Sequence, residues 1–149
     1  MLLIFRSMKG LRFGELAGIY GYGLRDEMEF YHYLRSVLFK TEGAVCCVWE
    51  EQGHYCSALR LEPFMDGLVL AGLETAPSLR RMGFGTRLVQ ETLGQLQPAV
   101  PVYAHIRRSN APSIALHLGC GFRKVKDCAT LLDGTTTANY ATYLYSPDS

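Results

Sequence analysis

A glycine-containing segment between a predicted strand and a predicted helix constrains this chain more than any other feature. It covers residues 80–86, follows the apolar run 68–73, and precedes apolar residues spaced like the buried face of a helix. The first N–H groups of a helix lack internal acceptors, and the helix dipole favours negative charge there. Glycine also lets the main chain approach a phosphate closely. The segment therefore predicts a pyrophosphate site, to which Arg80 and Arg81 add charge-assisted hydrogen bonds.

Other interpretations of the same glycines can be compared directly. A tight strand-to-helix turn without a ligand is one alternative, which two glycines alone leave open. A Walker-type phosphate loop requires Gly-Lys-Ser/Thr, and neither Gly83 nor Gly85 is followed by it. A Rossmann fingerprint requires a third glycine and further βαβ units, and the chain offers neither clearly. Both of these nucleotide-binding motifs are therefore excluded.

A second segment decides between a bare turn and a ligand site. Residues 73–85 read Leu-Glu-Thr-Ala-Pro-Ser-Leu-Arg-Arg-Met-Gly-Phe-Gly, and residues 110–122 read Asn-Ala-Pro-Ser-Ile-Ala-Leu-His-Leu-Gly-Cys-Gly-Phe. Together they resemble the acetyl-CoA-binding motifs of the GCN5-related N-acetyltransferase (GNAT) superfamily. The first is similar to its Arg/Gln-x-x-Gly-x-Gly/Ala pyrophosphate loop, including the preceding Pro77. The second is similar to its Asn, Ile-x-Leu-Tyr and Gly-Phe signature, with His117 in place of the usual Tyr. The resemblance is sharp over residues 66–123.

The resemblance implies acetyl-CoA as cosubstrate. In the family, the strand that carries the loop and the next strand splay apart, and the pantetheine arm pairs with free main-chain groups between them. A backbone N–H near Leu73 or Thr75 would also polarise the thioester carbonyl. Ordinary strand packing of both residues is compatible with this role. The implied cofactor-binding residues are Leu73, Thr75, Arg80, Arg81, Met82, Gly83, Phe84, Gly85, Thr86 and Asn110.

Acetyl transfer to an amine needs a base for the ammonium proton and an acid for the departing thiolate. His117 occupies the position of the family's usual acid, and an imidazole near neutral pH can still donate a proton. Packing against the cofactor without a proton transfer is the alternative for His117.

His105 and Glu74 are the candidates for the base. His105 stands five residues before Asn110, where some amine-acetylating relatives carry Glu, and lies on the strand face opposite the apolar side chains. The even-numbered residues 68–74 alternate to one strand face, which directs Glu74 towards the cleft. Ion pairing of Glu74 with a neighbour such as Arg60 is the alternative. Glu62 competes for the same role, and a water relay leaves no essential base.

Charge is distributed unevenly along the chain. Residues 1–75 carry seven Lys/Arg and ten Asp/Glu, whereas residues 76–149 carry eight and four. The basic excess surrounds both motif segments and suits a cofactor with a pyrophosphate and a 3′-phosphate. No basic run is interleaved with aromatic residues, so we expect no nucleic-acid partner. The five cysteines lack the spacing of metal ligands, so we expect packed, reduced thiols and no metal site.

The predicted elements follow the order β-α-α-β-β-β-α-β-α-β-β, which is also typical of the GNAT superfamily. We expect one domain over residues 1–149, with an α/β (α+β) three-layer fold and a mixed, mostly antiparallel sheet. The last strand pair is predicted at residues 125–132 and 140–145. The apolar start is too short for a signal peptide, and no stretch approaches the ~18 to 20 apolar residues that span a bilayer. We therefore expect a cytoplasmic protein with no membrane partner.

The sequence thus predicts an acetyl-CoA-dependent N-acetyltransferase that acts by direct transfer in a ternary complex. The acceptor is expected to be a primary amine of a small molecule or a peptide, and a homodimer is compatible with the resemblance. A CoA-binding regulatory module without transfer activity is the alternative, because His117 replaces the usual Tyr. The residues in the segments that set acceptor choice in the family are Tyr20, Tyr22, Glu27, Tyr140, Tyr143 and Tyr145.

Overall fold

The structure, a computed structural model, describes residues 1–147. These residues contain nine strands and four α-helices. The strands are β1 (Leu2–Phe5), β2 (Val45–Glu51), β3 (His54–Phe64), β4 (Gly67–Thr75), β5 (Val102–Arg107), β6 (Arg123–Lys126), β7 (Ala129–Thr130), β8 (Thr136–Thr137) and β9 (Tyr140–Tyr145). The helices are α1 (Phe13–Tyr20), α2 (Leu24–Ser36), α3 (Phe84–Leu96) and α4 (Ala111–Gly119). Short 3₁₀ turns cover Leu38–Lys40 and Pro77–Leu79.

Seven strands form one sheet in the order β1-β2-β3-β4-β5-β9-β6. Neighbouring strands run antiparallel except β4 and β5, which are parallel. One core cluster joins the sheet to α3 through Leu88 and Leu93, and a second joins the opposite face to α1 and α2 through Leu16 and Leu34. The three layers and the mostly antiparallel mixed sheet are therefore as predicted from the sequence.

The last predicted strand pair differs from the structure in one respect. Residues 125–132 do not form one strand, because the chain bends at Asp127 and Cys128. The Asp127 carboxylate forms an ion pair with Lys124, and the Thr142 hydroxyl donates a hydrogen bond of 2.7 Å to the Cys128 carbonyl. These contacts leave β6 in the main sheet and turn the following residues into a separate two-stranded hairpin of β7 and β8.

The core centres on β3, and one of its residues gives a test of the fold. Leu59 is fully buried in the cluster beneath α3. We expect Leu59→Ala to lower the free energy of unfolding by about 2–5 kcal/mol, because the lost contacts leave a cavity. Leu24→Ala is the control, since Leu24 at the start of α2 is 77% exposed and should change stability by less than about 0.5 kcal/mol. Urea denaturation of both variants measures the difference, and equal losses would contradict this assignment of the core.

Candidate functional site

The loop before α3 presents free main-chain donors. Gly83 is the N-cap in a left-handed conformation, with φ of 82°, and Arg81 is also left-handed, with φ of 67°. The first intrahelical hydrogen bond runs from the Arg87 N–H to the Gly83 carbonyl over 3.0 Å. The N–H groups of residues 84–86 therefore have no acceptor within the helix, and Gly83 has no side chain to cap them. Such an arrangement of N–H groups at a helix start suits an anion.

The two glycines of this loop serve different physical purposes. A Cβ at Gly83 would meet nothing within 4 Å, so this position is open but requires a positive φ. A Cβ at Gly85 would lie 3.2 Å from Leu116 Cδ1 and 3.3 Å from Thr75 Oγ1. Gly85 therefore allows α3 to pack closely against α4 and β4. Packing therefore fixes the loop at Gly85, whereas the space beside Gly83 is empty.

Strands β4 and β5 separate beside this loop. Their parallel pairing covers residues 68–70 of β4, ending where Leu70 meets Ala104. On its other edge β4 contains a bulge, because the register of β3 places Leu59 opposite both Gly72 and Leu73. Gly72 has a φ of 62°, which glycine adopts without strain. The main-chain groups of β4 beyond Leu70 consequently face β5 without a pairing strand.

Two clefts meet at this separation. One, of about 810 Å³, lies over the loop and α4, and the other, of about 530 Å³, lies between the diverging strands. Leu73, Asn110 and Ser113 line both clefts, which join there. Met82 is absent from the lining of either cleft and is largely exposed. The predicted cofactor residues that line the larger cleft are Leu73, Thr75, Arg80, Arg81, Gly83, Phe84, Gly85, Thr86 and Asn110.

Helix α4 places His117 in the wall of the smaller cleft. Asn110 caps this helix by accepting a hydrogen bond of 3.1 Å from the Ser113 N–H. One turn later, Nδ1 of His117 lies 2.7 Å from the Ser113 carbonyl oxygen. A carbonyl can only accept, so Nδ1 carries the proton.

The remaining nitrogen of His117 has a distinct environment. Nε2 is buried and has no hydrogen-bond partner within residues 1–147, and the ring packs edge-on against Phe122. Burial lowers the pKa of His117 below its ordinary value, an effect that the contact with the Ser113 carbonyl partly offsets. Near neutral pH the ring is therefore neutral, with a free acceptor at Nε2.

His105 lines the same cleft from β5. Its side chain lies on the face opposite Val102 and Ala104, as the alternation predicted, and packs edge-on against Phe64 at a ring distance of 5.1 Å. Burial lowers the pKa of His105 as well. Two imidazoles that are neutral near neutral pH, those of His105 and His117, thus line the smaller cleft.

Glu74 lines the larger cleft, but it lies on a different strand face from the one that simple alternation predicts. Leu70 belongs to the core beneath α3, whereas Glu74 is paired opposite Ala58, which belongs to the core beneath α1 and α2. The bulge at Gly72 causes the difference, because one extra residue reverses the side-chain alternation that follows it. The ion partner also differs: Glu74 Oε1 lies 3.1 Å from Arg80 Nη2, so the suggested partner Arg60 was wrong.

A buried polar cluster beside the bulge was not recognised from the sequence. Tyr33 donates a hydrogen bond to Glu62 Oε1, and burial raises the pKa of Tyr33 to about 12. Arg60 lies next to Glu62, and Tyr20 donates a hydrogen bond of 2.6 Å to the Gly72 carbonyl. The available signal was the position of Arg60 between two apolar residues, Leu59 and Leu61, within a predicted strand.

The basic excess of the second half belongs only partly to the clefts. Arg80 and Arg81 line the larger cleft, and Arg107 lines the smaller one. Arg108 and Lys124 instead pair with Asp127.

No group of three or more potential metal ligands and no helix of membrane-spanning length and polarity lies among residues 1–147. All five cysteines are free thiols; Cys46, Cys47 and Cys56 are buried as expected, whereas Cys120 and Cys128 are only half-buried.

Comparisons with known proteins agree with this geometry. A sequence profile of the acetyltransferase (GNAT) family matches residues 12–122. No curated protein matches the sequence. The ribosomal-protein-S18-alanine N-acetyltransferase from Escherichia coli is 18% identical, with a TM-score of 0.68 over 97% of this chain and 93% of that chain. The ribosomal-protein-alanine N-acetyltransferase from Brucella melitensis is 20% identical, with a TM-score of 0.65 over 95% and 96%. PaiA N-acetyltransferase from Thermoplasma acidophilum, solved in complex with coenzyme A, is 11% identical, with a TM-score of 0.64 over 98% and 99%.

Proposed function

Because the chain belongs to the GNAT acetyltransferase family, we propose that it transfers an acetyl group from acetyl-CoA to a primary amine of a small molecule or peptide. One observation carries the proposal. The free N–H groups at the start of α3 lie beside the gap between β4 and β5. A phosphate site beside an unpaired strand edge fits a cosubstrate with a pyrophosphate and an amide-containing arm. We further propose that residues 1–149 form a single domain that acts in the cytoplasm. The proposed reaction needs no nucleic acid, membrane or metal ion.

The residues present fit coenzyme A. The N–H groups of Gly83, Phe84, Gly85 and Thr86 would hold the pyrophosphate, with Arg80 and Arg81 adding charge. Arg80 now pairs with Glu74, so it would exchange a carboxylate for a phosphate. The main chain of residues 73–75 would align the arm, and a backbone N–H there would stabilise charge on the thioester oxygen. Asn110 and α4 would close the other side.

For proton transfer, we assign His117 the central role. Its Nδ1 proton is held by the Ser113 carbonyl, so Nε2, which is buried and has no partner within residues 1–147, would be the nitrogen that exchanges protons. Nε2 would accept the proton that the attacking amine releases and return it to the departing sulfur as the carbon–sulfur bond breaks. His105 and Glu74 would bind or deprotonate the incoming ammonium from the facing strands. His117 would thus relay the second proton of the amine to the sulfur, whereas the first proton, that of the ammonium, would go to a separate base.

Acetyl-CoA turnover with a panel of primary amines tests this function. We expect release of free CoA that depends on the amine and matches the acetylated product mole for mole, in a complex that contains both substrates. Calorimetric titration with CoA runs in parallel. A protein that binds CoA tightly but acetylates no amine in the panel would be a binding module instead of an enzyme, and one that does not bind CoA would refute both.

A further inference from the structure

Arg60 on β3 is a charged side chain that the proposed reaction does not yet use. Only 17% of its side chain is exposed, and Nε has no hydrogen-bond acceptor within residues 1–147. Its nearest carboxylate oxygen, Glu62 Oε2, lies 3.8 Å from Nε, beyond hydrogen-bond distance. Buried donors are normally satisfied, and a guanidinium has five of them. Arg60 is therefore under-satisfied by the protein itself.

The guanidinium of Arg60 lies against Gly72, a residue that lines the site. Nη1 and Nη2 lie 2.5 Å and 3.0 Å from the position that a Cβ on Gly72 would occupy, so the guanidinium rests on the glycine of the bulge. Gly72 lines the cleft between β4 and β5. The rings of Phe30 and Tyr33 flank the guanidinium, with centroids 5.7 Å and 5.6 Å from Cζ. Aromatic walls exclude water and strengthen the attraction of a guanidinium for an anion.

Glu62 forms its ion pair with Arg60 through Nε, away from Nη1 and Nη2. Its Oε1 accepts the Tyr33 hydroxyl, and its Oε2 faces Nε on the other side of the guanidinium. The Nη1–Nη2 edge remains for a planar acceptor with two oxygens, which a carboxylate provides.

We propose that the Nη1–Nη2 edge of Arg60 binds a carboxylate of the acceptor, which makes the acceptor a free amino acid instead of a peptide. This rests on the proposed function, because it assigns part of the acceptor site of that reaction. Gly72 precedes the main chain at residues 73–75 by one to three positions, or about 3–10 Å along a strand. A carboxylate at Gly72 thus lies close to an amine that reacts beside residues 73–75, as in an α-amino acid.

Matched pairs of acceptors test the carboxylate. We would compare each free amino acid with its α-amide, at equal concentrations of neutral amine, and take the ratio of the two kcat/KM values. The ratio for the best amino acid is expected to be about 10–100 in favour of the free acid, as for one charge-assisted contact. Arg60→Gln should bring this ratio close to one. The double variant Arg60→Gln/Glu62→Gln should do the same without leaving a buried carboxylate unpaired.

Arg107→Gln is the control, because Arg107 lines the cleft to which Gly72 belongs but packs on Tyr140. It should keep the ratio of the wild type. A ratio near one in the wild type, or an unchanged ratio in both Arg60 variants, would overturn the proposal.

A binding measurement separates this proposal from the proposed function. Calorimetry with N-acetylated amino acids and their amides requires no turnover. Preferential binding of the acids that Arg60→Gln removes would support the carboxylate site even if no amine is acetylated, and equal binding of acids and amides would refute it. Unchanged CoA affinity in the Arg60 variants shows that the fold is intact.

Discussion

Gly83→Asp is expected to weaken CoA binding by at least about 100-fold. The substitution brings a negative charge to the N-terminus of α3, where the free N–H groups of residues 84–86 would meet the pyrophosphate. It also replaces an attraction with the repulsion of two anions at contact distance. Because no atom lies within 4 Å of a Cβ at this position, the side chain itself displaces nothing. Calorimetric titration with CoA measures the effect.

Gly83→Asn is the matched control. Asn and Asp have nearly the same shape, and both tolerate the left-handed conformation better than other side chains with a Cβ. The two variants should therefore have similar melting temperatures but very different affinities for CoA. Gly85 offers no such pair, because a Cβ there presses on Leu116 and Thr75. Equal CoA affinities of Gly83→Asp and Gly83→Asn would show that the pyrophosphate binds elsewhere.

His117→Phe is expected to lower kcat by about 10²–10⁴-fold, the usual contribution of a positioned acid or base. Phe fills the same buried position against Phe122 but has no nitrogen in the cleft. Affinity for acetyl-CoA should change little, because the lost interaction is made in the transition state. His117→Tyr should lose less, since a phenol can protonate the departing sulfur. Steady-state kinetics with a saturating amine compares the three proteins.

The pH profile separates two roles of His117. Burial lowers its pKa below the ordinary 6.5, so the ring is neutral above that pH and becomes protonated as the pH falls through the lowered value. A ring that first accepts a proton must be neutral, so the rate should fall on the acid side, below pH 6.5. Direct donation by an imidazolium would give the opposite slope. Values of kcat for Phe, Tyr and His that agree within about threefold would remove His117 from the proton transfers.

Local patterns along the chain were sufficient to predict the loop and most elements. Gly83 before an apolar helical stripe predicts a helix start with free N–H groups there without any knowledge of the tertiary fold. Asn110 as the cap of α4 is equally local, because a cap acts on residues three positions away. The element order then limits the sheet to a few arrangements, and the GNAT resemblance selected the observed one.

Features that depend on register were not predictable in the same way. The side-chain alternation used for Glu74 assumes a regular strand, and the bulge that reverses it follows from how β4 pairs with β3. Arg60 reads as an ordinary charged residue until the fold places it against Gly72. The division of the predicted strand at residues 125–132 depends on Asp127, whose cationic partners include Arg108, nineteen residues away. Each of these outcomes depends on contacts between distant segments.

The short pairing between β4 and β5 has a consequence for the whole molecule. Three residue pairs alone join these strands, so the sheet consists of two halves, β1–β4 and β5, β9 and β6, linked by a narrow ladder. A ligand arm that pairs with the open edge of β4 would extend this ladder, as an added strand would. Binding free energy would then add to the free energy of unfolding. The free energy of unfolding of the chain would therefore rise with the concentration of the cosubstrate, because the bound arm joins the two halves of the sheet.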